Sequence, residues 1–275
     1  MIITTGLFSL MVLTVFVILR AGLRAWSTVE SRHTAQRQLR RVELLLNEDL
    51  KSASIAQMRV LACTPVGSPM AGTPNGHAVW FLSPQVPVDT PFGGVAYAAA
   101  ERGVMARDPS TGQAVWQTNI LYYLSVPIGY TGAIGAVADA DGLDVTCPRK
   151  MLVKVVVDIN DQRANIFDPG DAEPLLTNAQ VTTTYAIAPN GYSLANIVNK
   201  NRVVTAQIIA DQLLYFGVKI APAGAPPKAV DFRVRAMRVA DAEHNRSRVG
   251  GQLGTVDATR DSFTIEYVTR LFLQN

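Results

Sequence analysis

Hydrophobic positions follow three rhythms along the chain. Residues 1–19 carry no charge and are apolar nearly throughout. From Ala35 onward apolar side chains return every three or four positions, at Ala35, Leu39, Val42, Leu46, Leu50 and Ala53. Beyond residue 76 they gather in short runs, and one alternates strictly: Phe232, Val234 and Ala236 against Arg233 and Arg235. The first rhythm predicts an apolar helix and the second one face of a 3.6-residue helix. The third predicts half-buried strands. The first two join without a break, so one helix is expected from about residue 2 to 54.

Strands are expected at 78–82 (AVWFL), 120–126 (ILYYLSV), 152–157 (LVKVVV), 203–209, 213–220 (LLYFGVKI), 230–239 (VDFRVRAMRV) and 263–272. Linkers rich in Pro, Gly and Asn separate them at 84–94, 168–174, 189–191 and 221–227, and prolines at 65, 69 and 74 mark a loop after the helix. Helical patterns do not alternate with the strands, which argues against a parallel βαβ sheet. The expected class is α+β, a long N-terminal helix packed on an antiparallel sheet. Three parts follow: a transmembrane segment at 1–24, an amphipathic stalk at 25–58 and a soluble β-rich domain at 59–275. Leu39, Val42, Leu46 and Leu50 should face the sheet, with Glu43, Glu48 and Asp49 on other faces.

Nineteen helical residues rise about 28 Å, close to the roughly 30 Å hydrocarbon core of a bilayer. Leu7, Leu10, Val15 and Leu19 can face lipid or other apolar helices equally, and Gly6 and Gly22 permit close approach. A cleaved signal peptide would need a basic start and a small-residue cleavage site. Here Arg20 and Arg24 follow the apolar run directly and no basic residue precedes it. The segment therefore reads as an anchor. Arg20, Arg24, Arg32, Arg37, Arg40 and Arg41 all follow it, which by the positive-inside rule would place the domain in the cytoplasm.

The chain is 48% hydrophobic and 17% charged, a globular composition, with net charge +3. The positive excess sits in the arginines of residues 20–41. Outside that cluster the chain is near neutral, which excludes a nucleic-acid surface. The cluster suits anionic lipid headgroups or a solvated helix face. Phosphate-loop, GxSxG, HExxH, CxxC and GxGxxG motifs are all missing, so no catalytic residue is assigned. His33, His77 and His244 are far apart and read as surface histidines. Asp139, Asp141 and Asp144 form one oxygen-rich run, and Asp158, Asn160, Asp161, Asp168 and Asp171 another. Either could hold Ca²⁺, but ordinary turn chemistry accounts for both, and no metal ligand or cofactor is assigned. Trp80, Trp116, Tyr122 and Tyr123 read as core aromatics rather than a ligand groove. Cys63 and Cys147 are the only cysteines, either one disulfide or two buried thiols.

Several stretches together resemble the type IV pilin-like family, and within it the minor pilins and the J-type minor pseudopilin of type II secretion. Residues 2–19 look like the later part of the family's membrane helix. Residues 32–54 (RHTAQRQLRRVELLLNEDLKSAS) look like its amphipathic half, with an acidic-Leu-Lys ending at Asp49-Leu50-Lys51. WQTNILYYL at 116–124, the run 204–216 and the ending 267–275 are similar to strands of this subfamily. The resemblance implies a pilin-like fold and a structural subunit with no catalytic role. It implies partners among sibling pilin-like subunits, reached through the N-terminal helix, and a single-pass location in the bacterial inner membrane with the C-terminal domain in the periplasm.

The family's basic leader and its Gly-Phe-Thr-Leu-Ile-Glu motif are not in these residues. The resemblance places Met1 several residues into the mature helix, through an internally assigned start or an atypical, unprocessed member. A leader upstream would restore cytoplasmic positive charge and let Cys63 and Cys147 oxidise outside. A membrane-anchored extracytoplasmic ligand-binding or sensor domain is the competing reading.

Overall fold

The computed structural model describes residues 2–53, 58–63, 76–94, 96–126, 138, 141–144, 150–159, 175–185, 197–221, 229–237 and 264–272. Helix α1 (Ile2–Lys51) is followed by strands β1 (Arg59–Cys63), β2 (Gly76–Ser83), β3 (Thr118–Ser125) and β4 (Lys150–Asp158). A short helix α2 (Asn178–Gln180) runs into a π-helical turn, Val181–Tyr185. Strands β5 (Val203–Ala221), β6 (Ala229–Met237) and β7 (Thr264–Phe272) complete the chain. The class is α+β, as expected.

With fifty residues, α1 is about 75 Å long. No proline occurs before Pro65, so nothing breaks its hydrogen-bond ladder. It stops where the Ser52 hydroxyl donates to the Asp49 carbonyl (3.1 Å) and the Ala53 N–H to the Leu50 carbonyl (3.2 Å). Lys51 in the last turn suits the negative end of the helix dipole. Ala35, Leu39, Val42, Leu46 and Leu50 are buried against the sheet, with Ala53 packed at the margin. Burying four such branched side chains contributes on the order of 10 kcal/mol before entropy.

The seven strands form one antiparallel sheet in sequence order, β1 through β7. Period-two alternation sends neighbouring residues to opposite faces. Ile120, Tyr122 and Leu124 join the helix-side core, while Leu121 and Tyr123 join a second core with Trp80, Val155, Leu176 and Val181. Strands β2 to β4 are therefore covered on both faces. The far-face cover is tied down by the Trp80 Nε1–H donating to the Leu176 carbonyl (2.8 Å) and the Leu176 N–H donating to Asn119 Oδ1 (3.1 Å).

Residues 203–209 and 213–220, expected as two strands, belong to the single strand β5. Asp211 and Gln212 form a bulge between them: Lys150 pairs with Leu213 and Leu152 with Ala210. Gln212 takes φ of 58°, and there β5 passes from pairing with β4 to pairing with β6. Bulges of this kind bend a strand. The curl brings the start of β2 onto β5, where the Val218 N–H donates to His77 Nδ1 (2.8 Å). A Cβ on Gly76 would lie 3.0 Å from the Phe216 carbonyl oxygen, so the approach needs glycine. His77, expected as a plain surface histidine, is thus half-buried with a structural role.

On the outer face of β6 and β7 the predicted alternation holds. Phe232, Val234 and Ala236 point to the core. Arg235 pairs with Glu266 across the strands (2.7 Å), and Arg270 grips Asp231 with two nitrogens (2.6 and 2.7 Å). Charged side chains there discourage edge-to-edge pairing of β7. Strand β1 has no counterpart among the expected runs. The Cys63 backbone lies in β1, but its side chain, Cys147, Asp139, His244 and the carboxylates of 160–171 lie outside the described residues.

Leu46 is 1% exposed and Leu44, two residues away, 60%. Leu46→Ala should cost 2–5 kcal/mol and Leu44→Ala within about 0.5 kcal/mol, read by urea denaturation of the detergent-solubilised chain. Equal costs would show that the stripe is not what seats the helix.

Candidate functional site

Two halves of one helix have opposite needs. Every described side chain of residues 6–33 is exposed, and Ala35 is the first buried one. Leu7, Leu10, Val15 and Leu19 all point away from the rest of the chain, Leu10 at 65% exposure. The segment is long and apolar enough to cross a membrane, and none of it is buried against the domain. A Cβ added at Gly6 or Gly22 would meet nothing within 4 Å, so both positions are open to a neighbour. A helix that is apolar all round is stable only when something covers it, lipid or other helices.

The second half is pinned as well as packed. Near the start of the seat, Gln38 donates to Asp211 at the β5 bulge. In the middle, the Tyr267 hydroxyl of β7 donates to Glu43. At the end, Asp49 is buried, although its position suggested an outward face. Its Oδ2 accepts from the Tyr122 hydroxyl of β3 and lies 2.5 Å from Lys154 Nζ of β4. Lys154 Nζ also sits 5.8 Å above the centre of the Tyr122 ring. Burial pushes the Tyr122 hydroxyl well above the usual tyrosine range, and the Asp49 charge beside it adds to the shift. The phenol therefore keeps its proton at neutral pH and donates it to Asp49. The signal for this site was the lysine inside the otherwise apolar LVKVVV run: a cation on a covered strand face requires an anion.

A second buried ion pair closes the far end of β4. Lys150 and Asp144 are both fully buried, with Nζ 2.9 Å from Asp144 Oδ2. The same ammonium donates to the carbonyls of Asp144 (2.5 Å) and Leu214 (2.8 Å), which uses its three protons. Asp141 is likewise held, by Lys219 Nζ (2.6 Å), the Tyr215 hydroxyl (2.9 Å) and Arg233 Nη1 (3.3 Å). The two described carboxylates of the first calcium candidate thus each face cations of the chain. Among the described residues no group of three or more His, Cys, Asp or Glu converges as a metal-ligand set. Trp80, Tyr122 and Tyr123 are core and Trp116 is partly buried. His33 is exposed on α1.

Beside the pins, open grooves run between α1 and β5. One of about 430 Å³ is lined by Thr34, Arg37, Gln38, Arg41 and residues 208–211 of β5. Another of about 390 Å³ is lined by Arg37, Arg40, Arg41, Leu44, Leu45 and Gln207. Three arginines of the cluster read in the sequence thus flank the seat, facing solvent.

Asp49→Ala leaves the Lys154 ammonium buried without its carboxylate and should cost 3–5 kcal/mol. The apolar replacement Asp49→Leu with Lys154→Met and Tyr122→Phe should return to within about 1–2 kcal/mol of wild type, because a buried pair offsets little more than its own desolvation and no hydroxyl is left unpaired. Denaturation of both variants checks this, and a harmless Asp49→Ala would remove the pin. Asp141 generates a pH dependence. Its hydrogen bond from Lys219, followed by that from Tyr215, holds the carboxyl below the ordinary range. A lowered folded-state pKa means the stabilisation is present above the unfolded value, near 3.9, and is lost as pH falls through the folded one. Melting curves of wild type and Asp141→Asn should differ at pH 7 and converge well below about pH 4.

No protein-family model, curated protein or solved structure matches this chain.

Proposed function

We propose that the protein is a structural subunit of a pilin-like assembly, a minor pilin or pseudopilin of a type IV pilus or a type II secretion pseudopilus. In this reading α1 anchors the chain in the bacterial inner membrane, the sheet domain lies in the periplasm, and the helix packs against helices of sibling subunits. The observation that carries the reading is the unpartnered half of α1. Eighteen consecutive residues, 6–23, turn every side chain outward, yet they belong to the same unbroken helix that forms the core of the domain. An anchor whose only task was tethering would work on a flexible linker. Here the apolar rod is fixed to the sheet by a packed stripe and three polar contacts, so the orientation of one sets that of the other.

The energetics suit transfer between lipid and assembly. Lipid tails are as apolar as Leu or Val, so moving the helix from bilayer to a bundle changes little hydrophobic free energy. Shape then decides, and the open backbone at Gly6 and Gly22 lets a second helix approach closely. Among the described residues, three groups of the kinds catalysis uses are spent on structure: His77 on β5, Asp49 on Lys154, Asp144 on Lys150.

The test is disulfide cross-linking in cells between cysteines placed along residues 5–30 and candidate pilin-like partners. Cross-links are expected in register along one helix face. Leu10→Arg should hinder insertion by about 2.5–3.5 kcal/mol and abolish incorporation. A chain that stays monomeric in the membrane, and whose deletion leaves secretion and piliation intact, would overturn the reading in favour of the anchored binding or sensor domain.

A further inference from the structure

We propose that residues 20–33 of α1 form a lipid-headgroup seat, with Trp26 in the interfacial layer and Arg20 and Arg32 binding anionic phospholipid headgroups. The proposal rests on reading α1 as a membrane anchor, and it adds a partner and a depth.

Trp26 is the point of departure. At 72% it is the most exposed large apolar side chain of the described residues, and Leu23 and Val29 beside it are exposed as well. The described part of the domain leaves it uncovered. At about 100° per residue, Trp26 lies roughly 160–220° around the helix from Ala35, Leu39 and Val42, on the side turned away from the sheet. Its height along the helix points to the cover it needs. The uncharged run ends at Leu19 and Leu23 is the last large apolar side chain before the indole, so Trp26 stands about 5–10 Å beyond the apolar segment at 1.5 Å per residue. A hydrocarbon core of about 30 Å within a bilayer of about 40–45 Å leaves a headgroup layer of about 5–8 Å on each side, which is the depth Trp26 reaches. The indole, apolar in body with one N–H donor, is the side chain suited to this layer.

Charge selects the kind of lipid. Residues 20–33 contain Arg20, Arg24 and Arg32 against the single acid Glu30. Arg20 and Arg32, both exposed, lie about 9 Å below and above Trp26, within a Debye length of about 8–10 Å. Arg37, Arg40 and Arg41 lie about 16–22 Å above it, too far for headgroup charge to reach with the helix upright. The cluster that looks continuous in sequence thus divides into a lipid-facing part and a part that flanks the sheet. Ala35, the first stalk residue packed on the sheet, stands about 14 Å above Trp26.

The test uses the full-length chain in phosphatidylcholine–phosphatidylglycerol vesicles at high lipid-to-protein ratio, with acyl chains brominated near the headgroup or near the bilayer centre. Subtracting the W26F signal removes Trp80 and Trp116. The Trp26 component should be quenched more by shallow than by deep bromines. It should be quenched about fivefold more per lipid when the bromines are on phosphatidylglycerol, the scale of one arginine at the surface. R20Q/R32Q should erase that preference, and R37Q/R40Q/R41Q should leave it unchanged. Quenching equal in W26F, dominated by deep bromines, or blind to the headgroup would overturn the proposal. So would quenching that rises as the protein is diluted in lipid, which would show a second copy covering Trp26. These vesicles contain no sibling subunit, so failure of the cross-linking test leaves this result standing, and the reverse.

Discussion

One helix has to satisfy two surroundings, and the rest of the structure depends on how it does so. The sheet has a face that needs cover, and the stripe at Ala35, Leu39, Val42, Leu46 and Leu50 supplies it. Phe81, Leu124, Phe216 and Phe232 close round that stripe, and the curl of the sheet follows. The β5 bulge, the glycine at 76 and the bond from Val218 to His77 all serve to wrap strands around a cylinder. The same helix then leaves the sheet and, over residues 6–19, offers side chains that are nearly all apolar and all exposed. Covering that half with the domain would require a second sheet, which the chain does not supply among its described residues.

Polar contacts refine what burial begins. An apolar stripe on an apolar face tolerates sliding, since one Leu can take another's place at modest cost. The Asp49–Tyr122–Lys154 cluster does not tolerate it. A slip of one turn would leave a carboxylate and an ammonium buried apart, at several kcal/mol. The cluster therefore selects one register more than it adds stability, as a single buried polar residue does in a coiled coil. Gln38 on Asp211 and Tyr267 on Glu43 repeat that choice at two more points along the stalk.

What the sequence revealed follows from which interactions are local. The stripe on α1 and the alternation in β6 were legible because periodicity is a property of neighbouring residues. Strand β1 was not: RVLAC is five residues with a charge at one end and no clear alternation. The two halves of β5 read as separate because Asp211 and Gln212 look like a turn, and only the pairing with β4 and β6 makes them a bulge. Asp49 and Lys154 stand 105 positions apart, so the lysine in its apolar run signalled that an anion was needed, while nothing local marked Asp49 as that anion. The apolar segment was legible for the opposite reason, since its meaning lies in its composition and needs no partner within the chain.

The unbroken length of α1 turns the seat into a fulcrum. The sheet grips only the last third of a rod whose other described end, Ile2, lies about 50 Å beyond Ala35. A change of only 5° in the angle at which the helix crosses the sheet would carry that end sideways by about 4 Å. Small adjustments at Asp49 or Gln38 would thus be magnified along the shaft, and a chain built this way can register at the far end of its helix what happens at the domain.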